Sequence, residues 1–203
     1  MVRFNPRRRS LAIRGAMAMA MAAALSGCGL FKGQPPVTYE LEAPAAAARL
    51  AGRTDAQILV PEATALDTLN SVRVVVSGGG KLSYYPDVQY PDRLPKVVQD
   101  KIVETFQVSR RAHAVGRPGE GLSIDYQLVT NIRAFEFSTS TMSARVSLYV
   151  QLLDDRNGRA VATKLFSATA PVKADTGEGV VAGLNDALSR VLMDLAAWTL
   201  AAI

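Results

Sequence analysis

The sequence is poor in the residues that most often build chemical sites. Its 203 residues include one cysteine, one histidine and one tryptophan. A single cysteine forms no disulfide within the chain and cannot supply a cysteine-rich metal site. The single histidine, His113, excludes clustered imidazole ligands, and any hydrolytic triad would have to be built around it. We therefore predict that the protein is not an enzyme and that it holds no cofactor or metal.

Acidic residues are missing from the first 27 residues, which contain five arginines. Without that stretch, 18 of the 23 basic residues remain and equal the 18 acidic residues, so the net charge of +5 comes from the stretch alone. Binding of nucleic acid requires clustered Lys and Arg on the folded part of a protein. The remaining chain is close to neutral and has the length of one domain. We therefore predict no nucleic-acid partner.

The lone cysteine, Cys28, directly follows Leu25-Ser26-Gly27. This arrangement resembles a bacterial lipobox, in which the cysteine thiol is acylated and the preceding peptide bond is cut. The arginines upstream and the ten apolar residues 16–25 are typical of a signal peptide. A helix of ten residues is too short to cross a bilayer, which takes about 20. The alternatives are an uncleaved amino-terminal anchor and a secretory signal that is cut elsewhere.

Three segments follow from this interpretation. Residues 1–27 form the lipoprotein signal peptide, and residues 28–56 form the lipidated amino terminus, a short strand and a flexible tether rich in Gly, Pro and Ala. A short helix in the alanine-rich part of the tether is an alternative. Residues 57–203 form the folded domain.

Apolar spacing predicts the elements of that domain. Strands are expected at 58–60, 72–76, 81–90 and 112–115, with a hairpin across Gly78-Gly79-Gly80. Helical spacing predicts one helix at 94–109, capped by Asp92, and a second at 178–200, with a capping box of Asp175 and Glu178. Strands at 122–132, 142–152 and 161–170 form an antiparallel meander. We predict an α+β fold, an antiparallel β-sheet with two amphipathic helices packed on one face.

A group of aromatic residues is the candidate contact surface. In strict alternation, two of them continue on the otherwise polar face of their strand, and exposed apolar area usually marks a contact. The candidates for contact with a partner or with lipid are Tyr84, Tyr85, Tyr90, Phe135 and Phe137. The alternative is that a helix or loop covers this strand end and that the rings belong to the core.

Several short motifs follow one another in a distinctive order. They are the lipobox with Cys28, Tyr39-Glu40-Leu41, the loop 80–85 leading through Tyr90 to Leu94-Pro95, the strand end 133–136, the turn 155–159 and the closing Ala/Leu helix. In this order they resemble the ABC-type transport auxiliary lipoprotein family, which includes the lipoproteins of paraquat-inducible systems. Tyr90 stands where the family is expected to have a tryptophan.

The resemblance implies a non-enzymatic periplasmic component that works with an ATPase, a permease and an MCE-domain protein to move lipids or other apolar solutes between the envelope membranes. Ring-like MCE partners would favour a symmetric homo-oligomer. Gly29 follows the acylated cysteine, whereas inner-membrane retention in enterobacteria typically uses Asp there. We therefore expect anchoring at the periplasmic face of the outer membrane rather than in the inner membrane.

Two other functions are compatible with the same sequence. An envelope lipoprotein that regulates a cell-wall enzyme or supports outer-membrane assembly would use the same tether and a similar small domain. Direct carriage of lipid by the domain itself is the third alternative.

Overall fold

The computed structural model describes residues 35–203. Within them the chain forms nine strands, one 3-10 helix at Ala45–Arg49 and two α-helices. The helices are α1 (Leu94–Ser109) and α2 (Gly177–Ala202). The strands are β1 (Val37–Thr38), β2 (Thr54–Leu59), β3 (Thr64–Ala65), β4 (Arg73–Gly78), β5 (Lys81–Gln89), β6 (Ala112–Gly116), β7 (Tyr126–Ser138), β8 (Ser143–Asp154) and β9 (Ala160–Pro171). The predicted signal peptide and Cys28 lie outside the described residues, so the lipidation site stays a prediction.

The central strand of the sheet is β7. One of its edges pairs antiparallel with β8, which pairs antiparallel with β9. Its other edge pairs with β2, β3 and β4 in turn, and all three are parallel to it. Beyond them, β6 pairs parallel with β2, β5 pairs antiparallel with β4, and β1 pairs parallel with β5.

This topology confirms the α+β class and the meander of β7, β8 and β9. The prediction of an antiparallel sheet is wrong for the short strands, because the sheet is mixed. Parallel pairing needs a long crossover connection between the two strands. The chain supplies it between β4 and β7, where the connection includes α1 and lets β7 run in the same direction as the strands before it.

The alternation of β8 is the most regular pattern in the core. Five of its residues point to one side and are fully buried, namely Ala144, Val146, Leu148, Val150 and Leu152. Strand β7 begins at Tyr126, so Leu122 and Ile124, which the alternation assigns to the strand, lie in the loop before it. The residues of β8 therefore define which side of β7 faces the core.

A β-bulge at Arg133 changes the alternation of β7. Ile132 pairs with Leu148 and Ala134 pairs with Ser147, so β7 has one residue more than β8 between these two pairs. Before the bulge Ile132 faces the core, and after it the core-facing residues are Phe135 and Phe137. The extra residue shifts the period of two by one position, which is why strict alternation misplaces both phenylalanines.

Both helices form where predicted, although their caps differ. Helix α1 begins after Arg93, and Asp92 does not cap it; the Asp92 carboxylate accepts hydrogen bonds from the Arg93 amide and the Lys96 ammonium. These bonds, that to Lys96 above all, hold the pKa of Asp92 below its ordinary value. Thr176, not Asp175, caps α2, accepting a hydrogen bond of 3.1 Å from the Gly179 amide.

Helix α2 contacts the meander. The Trp198 ring lies edge-on to Phe166 of β9, with 5.4 Å between ring centroids. At Gly183, an added Cβ would lie 3.3 Å from the Cβ of Ala144 on β8. That both helices share one face of the sheet stays a prediction. No helix between residues 35 and 203 combines the length and the apolar character needed to span a membrane.

The segment before residue 57 takes part in the folded unit, which spans Pro36–Ile203. Leu41 and Ala47 are fully buried, and the Glu42 amide donates a 2.8 Å hydrogen bond to the side chain of Asn185 on α2. The Lys101 ammonium, nearly buried on α1, lies 3.4 Å from Glu40 and 2.9 Å from Glu104. Much of the segment that the sequence assigns to a tether therefore packs on the domain.

Candidate functional site

The five aromatic candidates occupy separate environments. Tyr90, Phe135 and Phe137 are 1% exposed or less, and the Tyr90 ring stands edge-on to Phe135 with 5.9 Å between centroids. These three residues belong to the core, which corrects their assignment to a contact surface. The bulge at Arg133 is the physical reason why the two phenylalanines face the core. Only Tyr84 and Tyr85 of this group reach the surface, and both are half-buried.

Tyr84 and Tyr85 are neighbours on β5 and point to opposite faces of the sheet. Tyr84 pairs with Val75, which pairs with Glu136 on the face away from Phe137. Tyr85 points to the other face, where its ring lies 6.4 Å from that of Phe137. Neighbouring residues of a strand alternate in this way, so the two tyrosines form two small sites instead of one patch.

The site around Tyr85 is a groove of about 270 Å³ beside the start of α2. The Tyr85 hydroxyl donates a 3.0 Å hydrogen bond to Asp175 Oδ1, directly before the cap of α2. Partial burial, this hydrogen bond and the negative charge of Asp175 raise the pKa of Tyr85 above its ordinary value. At neutral pH the phenol is a neutral hydrogen-bond donor, as an ordinary tyrosine is.

The backbone of β5 is irregular at this groove. Arg73 pairs with Gln89 and Val75 pairs with Tyr84, so the four residues 85–88 lie opposite Val74 alone. Within them Asp87 has a φ of 53°, in the left-handed region that Asp tolerates better than most residues. A bulge of this size ends regular pairing and re-aims side chains. It begins directly after Tyr84, so Tyr84 lies at the end of the regular part of β5 and Tyr85 lies in the bulge.

The site around Tyr84 combines apolar area with a cation. The Arg73 guanidinium lies 4.0 Å from the centre of the Tyr84 ring, and the Tyr84 hydroxyl donates to the Thr68 carbonyl at 3.3 Å. Leu82, two residues earlier on the same face, is 56% exposed. Between Leu82, Tyr84 and Val75 lies a cavity of about 40 Å³. This surface suits apolar contact, because Leu82 is largely exposed and the Tyr84 ring and Val75 lie beside it.

A second exposed apolar feature lies on the far side of the sheet, on β9. Within residues 35–203, β9 pairs with β8 alone, so its outer edge is open. Val161 is 47% exposed and Leu165 56% exposed on this strand of 12 residues. Arg190 of α2 donates a 3.2 Å hydrogen bond to the Thr169 carbonyl. This edge was not predicted from the sequence, and its signal was Leu165, an apolar residue on the face opposite Phe166.

The single histidine and the acidic residues of the described part of the chain were the remaining candidates for chemistry. His113 lies exposed on β6, in the short strand that the sequence predicts. Between residues 35 and 203, no group of three or more His, Cys, Asp and Glu side chains is placed to hold a metal ion. The described residues offer two aromatic sites, the long open edge of β9 and apolar contacts.

Comparisons with known proteins agree with this architecture. The sequence profile described as "ABC-type transport auxiliary lipoprotein component" matches residues 39–196. An uncharacterized protein, bll6063, of Bradyrhizobium diazoefficiens is 28% identical over 168 residues, covering 82% of this chain and 46% of that protein. The chain thus spans about half the length of this curated relative.

Solved structures show the same fold. The crystal structure of protein XCC0632 from Xanthomonas campestris, assigned to DUF330, superposes with a TM-score of 0.71 at 25% identity, covering 83% of this chain and 94% of that chain. The hypothetical protein CT253 from Chlamydia trachomatis is 10% identical with a TM-score of 0.50, covering 72% of this chain and 96% of that chain. The second likeness concerns the fold alone.

Proposed function

The chain belongs to the ABC-type transport auxiliary lipoprotein family, and from this membership we propose that it is a non-enzymatic auxiliary component of an ABC/MCE-type system that transports lipids or other apolar solutes between the inner and outer membranes. The observation that carries the proposal is the family match, which covers residues 39–196 and so nearly the whole folded unit. An ATPase and a permease supply the energy and the path, and this protein acts as a tethered subunit without a cofactor.

The lipobox supports a membrane anchor at Cys28. Two or more acyl chains hold a protein firmly on a membrane, whereas a single chain gives marginal binding. Gly29 after the cysteine supports the periplasmic face of the outer membrane as the destination. The domain then projects into the periplasm toward an MCE-domain partner, and a symmetric homo-oligomer of this subunit would match a ring-like partner.

Two surfaces are proposed for contacts of this kind. Within residues 35–203 the outer edge of β9 has no strand partner and carries Val161 and Leu165, and an added strand of a partner would pair with this edge and cover both side chains. Tyr84 and Tyr85 remain candidates for contact with a partner or with lipid. The edge of β9 is our choice for the MCE-domain partner, because the strand is long and Leu165 lies where its pairing with β8 is regular.

Acylation and partner identity are tested together in cells. Cells expressing the full chain are fed labelled palmitate, and the membrane-extracted protein is purified with its partners. We expect palmitate on the protein, its absence in Cys28→Ala, and recovery of an MCE-domain protein. Recovery of a peptidoglycan synthase or an outer-membrane assembly protein, with no MCE-domain protein, would contradict the transport function and favour the rival envelope function.

A photo-crosslinking amino acid then locates the contact. Placed at Leu165, it should join the protein to the MCE-domain partner. The same group at Tyr84 tests the alternative surface, and at His113, which is exposed on β6, a strand that pairs with neither β5 nor β9, it is the control. Crosslinks from Tyr84 but none from Leu165 would move the docking site from the sheet edge to the aromatic site.

A further inference from the structure

Strand directions bring three segments to one end of the sheet. The parallel strands β4 and β7 are paired at their ends through Ser77 and Ser138. Their antiparallel neighbours β5 and β8 begin there, and β9 ends there at Pro171, which pairs with the first residue of β8. We call this the hairpin end and define it as residues 78–82, 138–143 and 171–175.

The hairpin end is more apolar than the opposite end. Leu82 is 56% and Met142 38% exposed, and the other residues of the three segments are mostly glycines, hydroxyl residues and small apolar residues, with Lys81, Lys173 and Asp175 as the charged ones. A 2.8 Å hydrogen bond from the Val172 amide to the Met142 carbonyl ties two of the three segments together. The opposite end contains the turn between β8 and β9, with Asp154, Asp155, Arg156 and Arg159. Desolvating such charges on a lipid surface is costly, whereas covering Leu82 and Met142 is favourable.

The amino-terminal segment leaves the sheet toward the hairpin end. Strand β1 is parallel to β5, with Val37 paired to Val88. Traced backwards from Val37, the chain therefore runs toward the beginning of β5. Pro36 lies beside Tyr85 and Asp87, both of which precede Val88 on β5.

The distance to Cys28 limits which end can face a membrane. Val37 lies nine positions after Cys28, and a fully extended chain of that length spans at most about 30 Å. Thr38 and Arg73 both pair with Gln89, so they lie at the same level of the sheet. Arg73 is five residues before Gly78, and the hairpin end is therefore roughly 17 Å from Thr38 along the strands. The tether reaches past it by about 13 Å at most.

The tether can hardly bring the opposite, charged end of the sheet to the membrane. That end lies roughly 25 Å from Val37 in the opposite direction, by the same count along β7 back to Tyr126. A tether of about 30 Å would have to turn back and run almost fully extended to place that end on the membrane. The direction and the length of the segment therefore both favour the hairpin end.

We propose that the hairpin end rests on the lipid surface in which Cys28 is anchored, with Leu82 and Met142 in the headgroup region. The proposal rests on the lipid anchor of the proposed function and adds an orientation and a second contact with lipid. Lys81 and Lys173 are exposed at this end, and lysine side chains can lie along apolar surface while their ammonium groups stay among the headgroups.

The experiment uses the lipidated protein in vesicles of phosphatidylethanolamine and phosphatidylglycerol. Because acylation blocks the thiol of Cys28, the only cysteine, a cysteine introduced elsewhere carries an environment-sensitive fluorophore specifically. The test variants are Leu82→Cys and Met142→Cys. Leu165→Cys is the matched control, as the same residue type with the same 56% exposure, and Asn157→Cys reports on the charged end.

Brominated lipids then quench the labels that reach the bilayer. We expect a blue shift and severalfold stronger quenching at positions 82 and 142 than at positions 165 and 157. Equal quenching at all four positions, or none at 82 and 142 on palmitoylated protein, overturns the orientation and leaves the anchor intact. Protein that carries no palmitate and leaves the vesicles overturns the anchor and the orientation with it. Shielding of positions 82 and 142 only after an MCE-domain protein is added overturns the lipid contact in favour of a protein contact.

Discussion

Deleting Arg133 should leave the fold intact, although it removes a residue from the central strand. Arg133 is the extra residue of the bulge, so its deletion converts Ile132, Ala134 and Phe135 into a simple alternating run in which Phe135 and Phe137 still face the core. The deletion also removes the cation–π interaction of the Arg133 guanidinium, which lies 5.3 Å from the centroid of the Tyr149 ring and is worth about 0.5–1 kcal/mol. With some local readjustment of the strand, we expect a cost below about 2 kcal/mol.

Deleting Tyr149 is the matched control, because it removes the same cation–π interaction. Strand β8 pairs without irregularity with β9 on both sides of Tyr149, so no bulge absorbs the deletion. Val150 and Leu152 would leave the core at about 1.5–3 kcal/mol each. Gln151 would enter it at about 1–3 kcal/mol. The sum, roughly 4–9 kcal/mol, is comparable to the whole stability of a typical domain, about 5–15 kcal/mol.

Urea unfolding followed by far-UV circular dichroism measures both costs on the mature chain carrying Cys28→Ser. We expect a shifted but cooperative transition without Arg133 and little or no native signal without Tyr149. Equal destabilisation of the two variants would refute the reasoning, because it would show that Arg133 is a regular member of the ladder.

Three further substitutions test individual contacts. Tyr90→Phe should leave the free energy of unfolding unchanged or raise it by about 1 kcal/mol, since the Tyr90 hydroxyl is buried with no hydrogen-bond partner among the described residues. A clear decrease in the free energy of unfolding, measured with urea, would show that the hydroxyl is hydrogen-bonded. Asp175→Asn should lower the pKa of Tyr85, which the absorbance of the phenolate reports. Because folding raises this pKa, the stability it adds is fully present below the ordinary tyrosine pKa and is lost as pH rises from there through the folded value, so the loss should be smaller and end at a lower pH in the variant. An unchanged tyrosine titration would argue against the hydrogen bond. Gly183→Ala should cost about 1–3 kcal/mol in thermal unfolding although Ala favours helices, because its Cβ would lie 2.7 Å from Val172 Cγ2; a raised Tm would mean that α2 sits less tightly there.

Local patterns predicted the elements with strong periodicity. Helix α1 has the bounds expected from its apolar spacing and from a proline in its first turn. The buried face of β8 agrees residue for residue with the alternation from Ala144 to Leu152. The cap of α2 differs by one position because Asp175 and Thr176 are both good capping residues, and only the backbone decides between them.

The remaining features depend on contacts between distant parts of the chain. The parallel pairing of β2, β3 and β4 with β7 could not be inferred, since two-residue and six-residue strands carry no signal for their partner. The same applies to the candidate site. The aromatic residues were visible in the sequence, but the side of the sheet that Phe135 and Phe137 face depends on the bulge at Arg133. An alternating pattern of apolar residues does not reveal such a bulge.

The two proposed surfaces are compatible because they lie in different directions from the same anchor. The hairpin end is the surface at which the strands end, whereas the open edge of β9 runs along the side of the sheet, parallel to the strands. Leu165 lies six residues before Pro171, so it is roughly 20 Å from the hairpin end. A domain that rests on lipid through Leu82 and Met142 therefore holds the edge of β9 upright, clear of the headgroups. A partner could pair with that edge without displacing the lipid contact, and a short tether would then serve to orient the subunit as well as to retain it.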